Sequence, residues 1–72
     1  MRVKIRLDTG TDANKFVNIT SQLKGKITII DAEGYRVNAK SILGALHALE
    51  FTEIWCESEY DIYEAIKNFV II

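Results

Sequence analysis

The spacing of apolar residues changes several times along this chain, and each change limits the folds that it can adopt. Apolar residues alternate with charged ones over residues 2–7, which is the period of a strand with one buried face. Turn-forming residues 8–11 end this pattern. From Asp12 to Leu23 the apolar positions recur at helical spacing, with Thr11 or Asp12 as the N-cap. We therefore expect a strand, a turn and a helix.

A hairpin is predicted next. Residues 27–30 are a β-branched run, residues 31–34 form a tight connection that ends in glycine, and residues 35–37 resume an extended pattern. A short apolar helix follows over residues 41–49, and Ser41 is its natural N-cap.

The last two elements complete the order β-α-β-β-α-β-α. Residues 51–57 predict a fourth strand, and the hydroxyl and carboxylate spacing of residues 58–61 predicts the start of a third helix. Because the strands are not each followed by a helix of their own, this order favours a four-stranded antiparallel sheet with three helices on one face. The expected fold class is α+β, an open-faced β-sandwich formed by a single domain over residues 1–72.

Composition excludes several classes of protein. Nine basic residues against ten acidic ones give a net charge of -1, without the basic excess that a nucleic-acid-binding protein normally shows. Cys56 and His47 are the only cysteine and histidine, so we expect no internal disulfide, no metal site and no cofactor. The apolar run 69–72 is too short to span a membrane, and residues 1–4 do not resemble a signal peptide. We therefore expect a cytoplasmic protein with no membrane partner.

One segment resembles a known protein family. Residues 36–44, which read RVNAKSILG, are similar to the segment of HPr proteins in which the third strand leads into the second helix. HPr is the phosphocarrier of the bacterial sugar phosphotransferase system. Residues 9–10 and 33–34 match the positions of two turns of the family, and the element order agrees over nearly the whole chain. The resemblance implies an HPr-like domain in which the first and fourth strands are neighbours.

The resemblance also implies that the phosphocarrier site is changed. In HPr proteins a Gly-x-His-x-Arg-Pro stretch opens the first helix, and its histidine carries the phosphate. Here Asp12 stands at the histidine position, Asn14 at the arginine and Lys15 at the proline. The chain therefore resembles a divergent, Crh-like member that lacks the phosphocarrier histidine, and we expect no enzyme activity.

Two interpretations of Asp12 stay open. Carboxylates act as nucleophiles in some phosphotransferases, so Asp12 as phosphoacceptor would make the chain a residual phosphocarrier. Such sites generally use a metal ion and neighbouring acids, and the loop shows neither. The interpretation that we favour is an acidic residue placed at a helix N-terminus, where the helix dipole stabilises it.

Ser41 is the second site that the resemblance implies. In HPr proteins of Gram-positive bacteria a dedicated kinase phosphorylates the serine that opens the second helix. A phosphate is favourable there, because free N–H groups and the positive end of the helix dipole face it. Ser41 is expected to cap the helix whether or not it is phosphorylated.

A protein-docking surface is expected on the first two helices, where HPr partners bind. The partner would be HPr kinase or a regulator. The candidate docking residues are Phe16, Ile42, Leu43, Leu46 and His47. Leu43 is the one most expected to be exposed.

The open face of the sheet is a second candidate surface. If Cys56 points to the helices, Trp55 points away from them, towards the cationic side chains of residues 2–6. Glu53 and Glu57 would then form cross-strand ion pairs on this face. Trp55 is either a cross-strand packing residue, which we favour, or a homodimer contact, so we expect a monomer or a weak homodimer.

These observations together predict a non-catalytic regulatory or adaptor protein related to the phosphotransferase system. It would act by docking to a protein, with Ser41 as a regulatory phosphorylation site. The alternative is the residual phosphocarrier that uses Asp12.

Overall fold

The elements follow one another in the order that the periodicity predicts. The computed structural model describes residues 1–71 of the chain. Its strands are β1 (Arg2–Ile5), β2 (Ile27–Ile30), β3 (Arg36–Asn38) and β4 (Ile54–Ser58). Its helices are α1 (Gly10–Thr20), α2 (Ile42–Ala48) and α3 (Tyr63–Ile66), the last continued by a 3₁₀ turn, Lys67–Phe69.

The four strands form one antiparallel sheet in the order β1-β4-β2-β3. The expected α+β class and the antiparallel open sheet with three helices are therefore confirmed. The first and fourth strands are neighbours, with Lys4 opposite Trp55 and Arg2 opposite Glu57.

The core lies between the helices and one face of the sheet. Cys56 of β4 stands beside Ile29 of β2, and both are fully buried. Phe16 of α1 packs edge-on against Phe69, with ring centroids 5.3 Å apart and planes at 83°. The hydroxyl of Thr20, also buried, donates to the main-chain oxygen of Ala39 at 2.7 Å. This bond joins the end of α1 to the segment between β3 and α2.

On the face of the sheet that turns away from the helices, long side chains of the strands cover one another. Ile30 points to this face and is only 1% exposed, because it lies between Trp55 and Arg36 in register. Trp55 donates from Nε1 to Glu53, and the guanidinium of Arg2 lies 5.2 Å from the centroid of its ring. The expected role of Trp55 in cross-strand packing is confirmed, while a homodimer contact stays a prediction.

Two of the expected ion pairs are present on that face. Arg2 approaches Glu57 at 3.7 Å, and Lys4 approaches Glu53 at 3.9 Å. Arg6 differs, because it lies beyond the end of β1 and pairs with Asp8, two residues along the chain.

The start of α1 differs from the prediction. The N-cap is Thr9 rather than Thr11 or Asp12, and the helix begins at Gly10. The hydroxyl of Thr9 accepts from the main-chain N–H of Asp12, whose carboxylate accepts in turn from the N–H of Thr9. This reciprocal capping box starts the helix earlier than the apolar pattern indicates.

The third helix is shorter than predicted and begins later. Ser58 belongs to β4, and its hydroxyl donates to the main-chain oxygen of Tyr60 instead of capping a helix. Beyond Phe69 the chain is extended and bridges to β1, with the N–H of Ile71 donating to the oxygen of Lys4 at 2.9 Å. The end of the described chain therefore protects the edge of β1.

In residues 1–71, no helix combines the length and the apolar character needed to cross a membrane.

Candidate functional site

Asp12 caps the start of α1. Its Oδ2 accepts hydrogen bonds from the main-chain N–H groups of Asp8, at 2.9 Å, and Thr9, at 3.2 Å. The hydrogen bond from Asp8 chiefly lowers the pKa of the Asp12 carboxyl, with further lowering by Thr9 and by the charge of Lys15. Asp12 is thus an ionised capping group, as the favoured interpretation expects.

The other two residues of this loop lie on the solvent side of α1. Asn14 and Lys15 are both exposed. Asn14 brings no positive charge to the start of the helix. Across residues 1–71 no group of three or more potential metal ligands occurs, so the donors of a metal-assisted aspartyl-phosphate site are not assembled there.

The capping role of Asp12 predicts a pH-dependent stability. Because its pKa is lower in the folded chain than the ordinary value of about 3.9, its carboxylate stabilises the fold above that pH, and this contribution is lost as the pH falls through the folded pKa. We expect Asp12→Asn to lower the urea midpoint at about pH 7, and the difference from wild type to shrink at about pH 3. The removal of a carboxylate that only faces solvent, as in Glu33→Gln, is the control and should leave both midpoints nearly unchanged. A constant deficit at both pH values would contradict the role of the carboxylate charge.

Ser41 caps α2, as predicted. Its Oγ accepts from the N–H of Gly44 at 3.3 Å, and the side chain is half-buried. The preceding turn is tied by Asn38, whose main-chain oxygen accepts from Ser41 and whose Oδ1 accepts from Lys40. The hydroxyl therefore has a defined position at the surface end of the helix.

The outer side of α2 exposes apolar side chains. Leu43 is 76% exposed, as expected for the most prominent member, and Ile42, Leu46 and His47 are exposed as well. The helix contains no Asp, Glu, Lys or Arg between Ile42 and Ala48. Large apolar side chains exposed together on an uncharged element are typical of protein-binding surfaces.

Phe16 does not belong to this surface. It is 0% exposed, because α1 turns it into the core against Phe69. Its assignment as a docking residue is therefore wrong. Helical spacing placed Phe16 on the apolar stripe of α1, and the packing of α1 on the sheet buries Phe16 together with Ala13 and Thr20 of that stripe.

The start of α1 and the surface of α2 are adjacent. A Cβ placed on Gly10 would lie 3.8 Å from Cδ2 of Leu46. The structure therefore places the first residue of α1 beside one of the exposed leucines of α2.

Tyr35 extends this surface and was missed in the sequence. Its ring is 53% exposed and lies 5.6 Å from the ring of His47, which in turn lies 5.8 Å from Phe51. The three rings form an aromatic cluster at the C-terminal end of α2. An aromatic residue directly after the glycine of a hairpin turn was the available signal, because nothing in the local pattern buries it.

The side chain of Cys56 does not lie at the surface. Cys56 is buried, and this burial raises the pKa of its thiol to about 11. It is therefore a packing residue and not a reactive thiol.

Comparison of the chain with protein-family models, with curated proteins and with solved structures finds no match in any of the three. The resemblance to HPr proteins therefore stays a prediction from residues 36–44 and the element order.

Proposed function

We propose that this chain is a non-catalytic regulatory or adaptor protein of the HPr type, which acts in the cytoplasm by docking to a protein partner. The observation that carries the proposal is the exposed, uncharged face of α2, led by Leu43, beside the start of α1. The α+β architecture agrees with it, and so does the loss of the histidine at Asp12.

The surface fits a protein partner for a physical reason. Interfaces gain most of their binding free energy from a few large side chains that become fully desolvated. Leu43 and Leu46 are the candidates for this role, and Tyr35 and His47 flank them. A single face of this size would support a transient complex rather than an obligate one.

Ser41 would regulate this docking. A phosphate on its Oγ would place a charge of about -1.5 to -2 directly before Ile42 and Leu43. Since an apolar interface is weakened by an unpaired charge at its edge, phosphorylation would change the partner that the surface accepts. The capping bond to Gly44 would be retained by a phosphate oxygen.

The kinase step is tested with HPr kinase and ATP, followed by mass spectrometry of the intact chain. Wild type and Ser21→Ala should each gain one phosphate, and Ser41→Ala should gain none. Ser21 is a matched control because it is an exposed serine at the C-terminal end of α1. No transfer to the wild type would remove the regulatory switch from the proposal.

The docking step is tested by NMR titration of the labelled chain with HPr kinase. Amide signals of α2 and of the start of α1 should broaden, and Leu43→Asp should abolish the effect. Ala65→Asp, which places the same charge on an exposed position of α3, should leave it unchanged. Broadening that Leu43→Asp does not reduce would reject α2 as the docking surface.

The residual-phosphocarrier alternative has its own test. Incubation with phosphoenolpyruvate and Enzyme I should leave the wild type unlabelled. Label that appears on the wild type but not on Asp12→Asn would establish the alternative and exclude a purely non-catalytic role.

A further inference from the structure

Three cationic side chains lie along the β2–β3 hairpin. Thr28 is opposite Asn38 in the last pair of the register, and Lys26 and Lys40 lie just beyond this pair, before β2 and after β3. The N–H of Ala39 donates to the oxygen of Ile27 at 3.0 Å, and the N–H of Ser41 then closes a turn on the oxygen of Asn38. With Arg36, these side chains line one open cleft of about 370 Å³.

The charged contacts around these three cations are unequal. Neither Lys26 nor Lys40 forms an ion pair within the described part of the chain. The carboxylate of Glu59 accepts from the main-chain N–H of Lys26, and Glu57 pairs with Arg36 at 2.9 Å. The cleft therefore holds two lysines without an ion pair together with a third cation, and an anion bound among them would neutralise part of this charge.

One of the two ammonium groups is already held in place. Nζ of Lys40 donates to the main-chain oxygen of Leu23 at 2.6 Å, which uses one of its three donors. A ligand that meets this ammonium does not have to order a free side chain, so the entropic cost of binding is reduced. Thr28 and Asn38 line the same cleft.

We propose that this cleft binds a small ligand through a phosphate or diphosphate group, held by Lys26 and Lys40 with Arg36 at the rim. Several anionic oxygens on one group match two ammonium donors and a guanidinium better than a single carboxylate does. The net charge of -1 argues for a small ligand and against a nucleic acid, because a polymer would meet the acidic remainder of the surface. This site is separate from the α2 docking surface and does not depend on it.

The test is an NMR titration of the full chain with inorganic pyrophosphate at constant ionic strength. Saturable shifts should be confined to residues 26–28 and 36–40. Lys26→Gln should weaken binding about fivefold and the Lys26→Gln, Lys40→Gln double variant at least about tenfold, since each exposed charge contact is modest. The matched control is Arg6→Gln with Lys67→Gln, which removes two exposed positive charges elsewhere and should leave the affinity unchanged.

Folding is followed separately, because the double variant also loses the bond from Lys40 to Leu23. Lys26→Gln keeps that bond and changes only an exposed side chain, so its thermal midpoint should stay nearly unchanged. Parallel titrations with inorganic phosphate and ATP show which part of a ligand is recognised. Equal affinity for ATP and pyrophosphate means that the phosphates alone are recognised. Tighter binding of ATP means that the nucleoside also contacts the protein. Shifts that are scattered over the surface, or that persist in the double variant, would overturn the proposal. Binding of a single-stranded oligonucleotide without any binding of pyrophosphate would overturn it as well.

Discussion

Phe16→Ala should remove a large part of the stability of this chain. Truncating a buried phenylalanine costs about 3–5 kcal/mol, because the transfer free energy of the ring is lost and a cavity remains. A chain of 72 residues has a free energy of unfolding of only about 4–11 kcal/mol at the usual value per residue. The ring of Phe16 also holds Phe69, so the turn that leads to the β1 edge would loosen with it. We expect the urea midpoint, followed by circular dichroism and by the fluorescence of Trp55, to fall sharply.

The control for this substitution is Leu43→Ala. The same kind of truncation is made there on a side chain that is mostly exposed, so the free energy of unfolding should change by less than about 0.5 kcal/mol. The two variants should also differ in binding, since only Leu43 belongs to the proposed docking surface. If Phe16→Ala were as stable as Leu43→Ala, the placement of α1 on the sheet would be wrong.

Gly44→Ala should destabilise the chain although alanine is the better helix former. Within a helix this change normally gains about 1 kcal/mol. At Gly44 the added Cβ would lie 2.7 Å from the main-chain oxygen of Asn38 and 3.4 Å from Cβ of Val37. The main chain of β3 cannot move aside as a flexible side chain can, so α2 must shift, and overpacking of this kind costs about 1–3 kcal/mol. Chemical denaturation should therefore show a lower free energy of unfolding. In NMR spectra the amide signal at position 44 should shift, because its capping bond to Ser41 is disturbed.

Gly10→Ala is the matched control, since Gly10 also lies in a helix. There the nearest atom to an added Cβ is Cδ2 of Leu46 at 3.8 Å, which is an ordinary contact. Stability should stay the same or rise by up to about 1 kcal/mol. Equal tolerance of alanine at both positions would mean that α2 does not press against β3.

Most of the fold could be predicted because its signals are local. The alternation around Val3 and the helical spacing around Ala13 state which face of each element is apolar. The charges on the open face followed from the same alternation, since a strand that buries Cys56 must turn Trp55 the other way. The turn before β3 was equally readable, because Gly34 adopts a positive φ of 91° there.

The candidate site was only partly predictable. Ser41 could be recognised as a cap from its position before an apolar run, and Leu43 as an exposed residue. The burial of Phe16 could not be recognised, because the helical spacing of α1 does not show which element covers its apolar stripe. Thr9 was missed as the cap of α1 because a capping box depends on the side chain of Asp12 reaching back three residues.

The sequence by itself determined the order of the elements, the buried face of each strand and the absence of a histidine at the start of α1, because each depends on residues close together in the chain. Tertiary structure alone decided that Phe16 is buried, where α3 ends and that Lys26, Arg36 and Lys40 line one cleft. Each of these depends on contacts between distant segments, such as Phe16 with Phe69 and Ile71 with Lys4. Burial depends on how the helices and the sheet pack together, and an apolar stripe on a helix does not show which element will cover it.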